Sequence, residues 1–300
     1  MPTKKINLAF FQLVPESPDP ENSTEQIASI KKIFDNLPSS FFPVQKSDGT
    51  VRLYGNISKR GDLYFGTFVR NQTSDIPPSY DEGSNSLSAL PLNANQGLGY
   101  STSFLYHPDL RIMMIESVKN GVSIGTICSF LNLNFDLPSL SPAIVINPTE
   151  MAQFLKMGSF KKFQVKIARV ENGSVFQTKN RSISQIIHAA DNTNTDTLEY
   201  TLSVGRGHDS LASSKIRNFV STFLKFKDTD EVKVLKVTGK ESDDTRSELI
   251  DFIQQRLKDD FTVERVRLNS SFSVDEHYIK MIDVYNKHKK GLRIYKMKKL

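Results

Sequence analysis

Two β-rich runs, VRLYGNISKR at 51–60 and GDLYFGTFVRN at 61–71, meet through Arg60-Gly61-Asp62. No other stretch constrains the fold as much. Runs of this kind joined by a short Gly-containing turn make a β-hairpin, so the chain commits early to antiparallel pairing. LGYSTSFLYH and LRIMMIES repeat the pattern around Pro108-Asp109, and residues 5–14 read as a further strand. Ser23 to Leu37 reads as a helix: Ser23 and Gln26 form a capping box, and Ile27, Ile30, Phe34 and Leu37 share a face. A second helix begins near Ser123, with Ile124, Ile127, Cys128 and Leu131 on one side. That stripe makes Cys128 a core residue rather than a nucleophile. Residues 72–97, dense in Ser, Asn, Pro and Gly, form a long mobile loop.

Pro138 and Pro142 punctuate a boundary at 136–142. Beyond it strands and helices alternate. FKKFQVKIARV puts Phe163, Val165 and Ile167 on one face of a strand and Lys162, Gln164 and Lys166 on the other. A helix around 182–190 and the strand TLEYTLSV follow. In ASSKIRNFVSTFLKF, residues Ile216, Phe219, Val220, Phe223 and Leu224 fall at i, i+3, i+4, i+7 and i+8 of a helix. EVKVLKVTG reads as a strand, RSELIDFIQQRLK as a helix, FTVERVRLN as a strand, and a last helix starts at Asp275. The chain is therefore expected to be α+β. A hairpin-rich N-terminal domain at 1–137 precedes a mixed strand and helix domain at 142–300.

Twenty Phe and no Trp leave the aromatic core to Phe, and the single cysteine rules out an intrachain disulfide or a Cys-cluster zinc site. The N-terminal MPTKKINLAFFQLVPESPDP starts like a secretory leader, but Asn7 and Gln12 interrupt the apolar run and PESPDP stands where cleavage needs small residues. No apolar stretch reaches the roughly 18 residues of a membrane helix. A cytoplasmic location is expected.

Motifs for catalysis are sparse. Gly97-Leu98-Gly99 leads into a strand, not a helix, so it is no dinucleotide loop, and there is no GxxxxGK[ST], GxSxG or HExxH. GRGHDS at 205–210 sets His208 beside Arg206 and Asp209, yet neighbours in sequence point in different directions. His107, His188, His277 and His288 lack metal-ligand spacing. Glu231-Val232-Lys233 matches the E-x-K of metal-dependent nucleases, with both side chains on one strand face, but lacks the preceding Asp. It supplies the enzyme alternative, a Mg²⁺ nuclease. No cofactor is called for.

Charge is the stronger guide. Residues 1–150 hold 11 Lys+Arg against 14 Asp+Glu, net −3, and residues 151–300 hold 28 against 19, net +9. Such asymmetry suggests that one part faces a polyanion. Lys161, Lys162, Lys166 and Arg169 cluster on one strand region. The C-terminal NKHKKGLRIYKMKKL adds Lys287, Lys289, Lys290, Arg293, Lys296, Lys298 and Lys299 without an acidic residue. Lys dominates both clusters, and Lys suits phosphates better than base edges. The expected ligand is duplex DNA held through its backbone, with little sequence preference and with the tail acting as an arm.

GLGYSTSFLYHPDLRIMMIESVKNGVSIGTICSFL at 97–131 combines a G-L-G-aromatic opening, two strands, an N-G-V-S turn and a short helix ending in F-L. With GDLYFGTFVRN before it and SFKKFQVKIARV after it, this pattern resembles the RexA-like phage-exclusion family over about residues 50–170. The resemblance implies bacterial antiphage defence by abortive infection, non-specific DNA binding, a two-domain α+β form, a homodimer and a small membrane effector partner. It carries over no catalytic residue and does not extend to the C-terminal half. Residues and resemblance together lead to a non-catalytic DNA-binding sensor. The alternatives are the Glu231-x-Lys233 nuclease and a structural or protein-interaction subunit without DNA binding.

Overall fold

The computed structural model describes residues 3–15, 23–135, 137, 139–168, 184–185, 192–193, 195–205, 209–224, 232–242, 244–264 and 273–296. The fold is α+β. The chain divides into two compact units, Met1–Leu140 with Lys258–His288, and Ser141–Leu257 with Lys289–Leu300. The first crossing falls inside the Pro-punctuated stretch at 136–142. The expected second domain at 142–300 is not a single unit, because residues 258–288 return to the first. Local composition marked the outward crossing, but the return depends on a strand pairing more than 240 residues apart, which composition does not register.

The first unit contains β1 (Thr3–Pro15), α1 (Ser23–Lys31), β2 (Val44–Lys46), β3 (Gly49–Arg60), β4 (Leu63–Gln72), β5 (Ser79–Asp81), β6 (Ser86–Ser88), β7 (Leu98–His107), β8 (Ile112–Ser117) and α2 (Ile124–Asn134). The strand β9 (Leu140–Ile144) leads into the second unit, made of α3 (Pro148–Lys156), β10 (Ser159–Ala168), β11 (Thr197–Ser203), α4 (Ser213–Leu224), β12 (Val232–Lys240) and β13 (Glu248–Asp251). β14 (Lys258–Glu264) and most of α5 (Val274–Leu292) belong to the first unit again.

Seven strands of the first unit run in the order β14-β1-β8-β7-β4-β3-β2, all antiparallel. The β3–β4 hairpin turns on Gly61-Asp62, with Gly61 at φ 59° in the left-handed region that glycine tolerates. Both faces of this sheet are covered. On one, Phe104 stacks on Phe34 and Phe68 packs against Phe130 of α2, while Tyr106 Oη donates to Ile30 O at 2.7 Å. On the other, α5 lays Tyr278 against Phe65 and Tyr285 against His107. Coverage on both sides explains why β1 and β8 read as near-continuous apolar runs instead of alternating. The polar exception in β1, Gln12, is buried and donates to Leu110 O at 3.0 Å.

Several local expectations change. α1 stops at Lys31, and Leu37 is exposed while Ile30 and Phe34 are buried. The 72–97 segment contains the small β5–β6 hairpin. Gly97 serves close approach: a Cβ there would lie 2.1 Å from Gln72 O. Cys128 is buried in α2, whose N-cap Ser123 accepts from Thr126 N at 3.2 Å.

The second unit is a two-layer α+β arrangement around an antiparallel sheet with strand order β11-β10-β12-β13. α4 buries Ile216, Phe219, Val220, Phe223 and Leu224, and Phe219 and Phe223 both meet Phe163. Short α3 follows from a start signal that the helical reading missed: Asn147 caps Thr149 N at 3.1 Å, with Pro148 in the first turn. Arg217 of α4 closes its other end, donating to Phe154, Leu155 and Met157 carbonyls. RSELIDFIQQRLK is not a helix. Glu248–Asp251 is an edge strand on β12, and Asp251 Oδ1 accepts from Ile253 N and Gln254 N in a side-chain-capped turn that competes with helix. Burial there follows period two, with Ile250 and Phe252 buried and Leu249 59% exposed. The expected helix at 182–190 lies almost wholly outside the described residues.

Near the end of α5, Asp259 of β14 accepts from Lys287 Nζ at 2.8 Å and His288 Nε2 at 2.7 Å. Burial alone would raise this carboxyl. The hydrogen bonds from Lys287, His288 and Asp260 N, with the Lys287 charge, outweigh burial and lower it to about 2. A depressed carboxylate contributes stability above its unfolded value and loses it as pH falls from about 4 through about 2. Because Lys287 is largely exposed, solvent screening limits the contribution to about 1–2 kcal/mol. Asp259→Asn is expected to flatten the acid limb of a stability-against-pH curve over this window, measured by urea unfolding.

Candidate nucleic-acid interface

Two places concentrate polar chemistry, and accessibility separates them. The first lies beneath α5. Glu116 of β8 is 2% exposed and His277 6%. His277 Nδ1 makes a short contact with Glu116 Oε1, and Glu116 Oε2 accepts from Ser103 N at 3.1 Å. Thr67 Oγ1 bonds Ser103 Oγ at 3.3 Å and Tyr278 Oη at 3.1 Å. Burial pushes the Tyr278 phenol up, with the Thr67 hydrogen bond opposing it and the Asp275 charge adding to it. These groups satisfy one another out of reach of solvent, so the network anchors the first turn of α5 to the sheet. Sequence reading missed it because the partners lie 161 positions apart. Removing one member of a buried pair strands the other, so Glu116→Ala is expected to cost about 3–5 kcal/mol, read as a fall in the denaturation midpoint.

The second place is the exposed surface of the second unit. Taken over their full sequences, the first unit holds 16 Lys+Arg against 19 Asp+Glu, net −3, and the second 23 against 14, net +9. The charge asymmetry therefore coincides with the structural division. On the sheet face opposite α4, β10 presents Lys162, Gln164 and Lys166, and their neighbours in β12 are Thr238, Lys236 and Val234. Two of the lysines are compensated: Lys166 pairs with Glu199 of β11, and Lys236 with Asp251 at 3.1 Å. Lys161 sits at a β-bulge, where its Nζ donates to Asp209 O at 2.6 Å. Lys162 has no ion pair among the described residues. No aromatic side chain lies on this face among the named β10 and β12 positions, so it lacks the stacking platform of single-strand binders.

The C-terminal segment is not a free arm as far as Lys296. Lys287, Lys289 and Lys290 lie in the last turns of α5, and Arg293 opens a 3₁₀ turn ending at Tyr295. Leu292 and Tyr295 are buried at 0% and 3% exposure. Tyr295 Oη donates to Ile146 O and accepts from Ile146 N, each at 2.8 Å. Burial pushes its phenol upward, the Ile146 bond opposing. Gly291 makes the approach possible, since a Cβ there would lie 2.9 Å from Pro148. Docking through Leu292 and Tyr295 leaves Lys289, Lys290, Arg293 and Lys296 exposed along the outer side of one helical segment. Cations in the last turn also complement the helix dipole. Lys287 is engaged by Asp259. Arg169, Lys298 and Lys299 lie outside the described residues, so the clusters are brought together only in part.

Among the described residues the alternative chemistry gains no site. Lys233 is exposed at an irregularity of β12, and Glu231 lies outside the described residues, as do Arg206 and His208. Among the described residues no three His, Cys, Asp or Glu side chains gather in a way that could hold a metal ion. No helix among them is long and apolar enough to cross a membrane.

A family model covers residues 1–298, and its description is that of a family of unknown function, DUF6731. The chain belongs to this family. The DUF6731 match takes in both units, acidic and basic alike. No curated protein matches the chain.

The docked C-terminal segment makes its own prediction. Tyr295→Phe leaves Ile146 N and O without this partner and is expected to cost about 1–3 kcal/mol, seen as a lower melting temperature with the exposed charges unchanged.

Proposed function

We propose that this DUF6731 protein binds duplex DNA through backbone phosphates, without catalysis, as a sensor in a bacterial antiphage system of the abortive-infection type. The observation that carries the binding reading is charge segregation: one compact unit holds a net charge of +9 and the other −3. Within the basic unit, the exposed cations Lys289, Lys290 and Arg293 follow one helical segment, with Lys162 on the sheet. Lys-rich point charges of this kind neutralise phosphates without reading bases. The defence role, the homodimer and a membrane effector partner rest on the RexA-like pattern at about 50–170, and the cytoplasmic setting rests on the reading of the N-terminal sequence.

Binding to a fluorescent random duplex across a salt series, with and without Mg²⁺, tests the reading. Because deletion after residue 286 would also remove Leu292 and Tyr295 from their buried sites, charge reversal is the cleaner perturbation. Lys289→Glu with Lys290→Glu and Arg293→Glu is expected to lower the slope of log K against log salt by about 2–3. Absence of binding at low salt would overturn the proposal in favour of a protein-interaction subunit. Mg²⁺-dependent cleavage lost in Lys233→Ala would replace it with the nuclease reading.

A further inference from the structure

An unpaired strand edge offers a row of N–H and C=O groups to any other strand, so sheets blunt or share their edges. The strand orders of the two main sheets end on β2 and β14 in one and on β11 and β13 in the other. β2 and β13 are only three and four residues long. β14 is seven residues long but carries Lys258, Asp260 and Glu264 exposed along it. β11 uses none of these protections. TLEYTLS is seven residues long, free of Pro, Gly and Lys, and its one charge, Glu199, is tied inward to Lys166. Among the described residues its backbone pairs with β10 alone.

The side chains of β11 point the same way. Leu198, Tyr200 and Leu202 share the face of Ile167, Val165 and Phe163, their direct partners on β10. Those β10 residues are buried, but the β11 residues are only half-buried, because α4 packs over β10 and β12. An apolar row thus runs along an edge that no other strand covers among the described residues. Laid antiparallel against itself about Tyr200, the strand is self-complementary. Leu198 then faces Leu202, Glu199 faces Thr201, Thr197 faces Ser203, and Tyr200 faces Tyr200. No like charges meet, and Tyr200 opposite Tyr200 and Thr197 opposite Ser203 are pairs of kinds that stabilise antiparallel strands.

We infer that β11 is a dimerisation edge, pairing with β11 of a second copy of this chain about a twofold axis at Tyr200. The contact is isologous and closes on itself, giving a dimer rather than a fibre. It joins the two four-stranded sheets into one, and strand alternation keeps Lys162 and Lys166 of both copies on the same side. The inference stands on strand geometry, independently of nucleic-acid binding. Its readout is mass and cross-linking, so its failure is distinguishable from failure of the DNA reading.

The full-length chain is measured by sedimentation across a dilution series as wild type, Tyr200→Glu and Tyr200→Lys. Each variant alone sets like charges face to face and is expected to weaken the dimer by more than about tenfold, whereas mixing the two restores a heterodimer. Tyr200→Cys, a smaller change, is expected to give a covalent dimer on mild oxidation, since residues at the twofold lie within disulfide reach. Glu199→Cys, displaced from its own copy along the strand, is expected to give none. A monomeric wild type, single variants that dimerise like wild type, a mixture that stays monomeric, or no cross-link at Tyr200→Cys would each overturn the assignment.

Discussion

The first unit depends on α5 covering the second face of its sheet. Without that helix, β1 and β8 would expose the apolar side chains that make them continuous hydrophobic runs. The contact is fixed in register by polar groups as well as by packing. The buried Glu116–His277 pair and the Thr67–Tyr278 bond hold one end, and Asp259 holds Lys287 and His288 near the other. A shift of the helix would break its close packing and would also leave a buried carboxylate unpaired, which is expensive. The polar contacts therefore fix the helix position together with its aromatic packing.

The same helix carries the candidate interface. Its final turn, with the 3₁₀ turn after it, belongs to the basic unit, where Leu292 and Tyr295 are buried and Lys289, Lys290 and Arg293 are exposed. What reads in sequence as a free basic arm is a shaped surface over its described length. A rigid row of charges loses less conformational freedom on meeting phosphates than a flexible tail would. The structure also sorts the lysines. Lys166, Lys236 and Lys287 are held by carboxylates, and a count of charges could not separate them from Lys162, Lys289 and Lys290.

Elements whose order is local were legible. The two hairpins, the helix beginning near Ser123 with Cys128 inside, and the Phe219–Phe223 face of α4 follow from residue type and spacing alone. RSELIDFIQQRLK was misread because Leu249, Ile250, Ile253 and Leu257 satisfy a helical spacing. The open edge of β12 and the Asp251 turn took the segment for a strand instead. Sequence pattern ranks local options, and a neighbouring edge can reverse the ranking for a short segment.

By itself, the sequence determined the α+β class, the antiparallel hairpins, the Phe-built core and the segregation of charge, since each depends on residue type and short-range spacing. Only the tertiary structure decided that residues 258–288 return to the first unit, that Glu116 meets His277, that the basic tail is docked by Tyr295, and that β11 is an edge among the described residues. Those outcomes are set by pairings between residues far apart in the chain, whose free energy appears only when the surfaces meet and which no local spacing records.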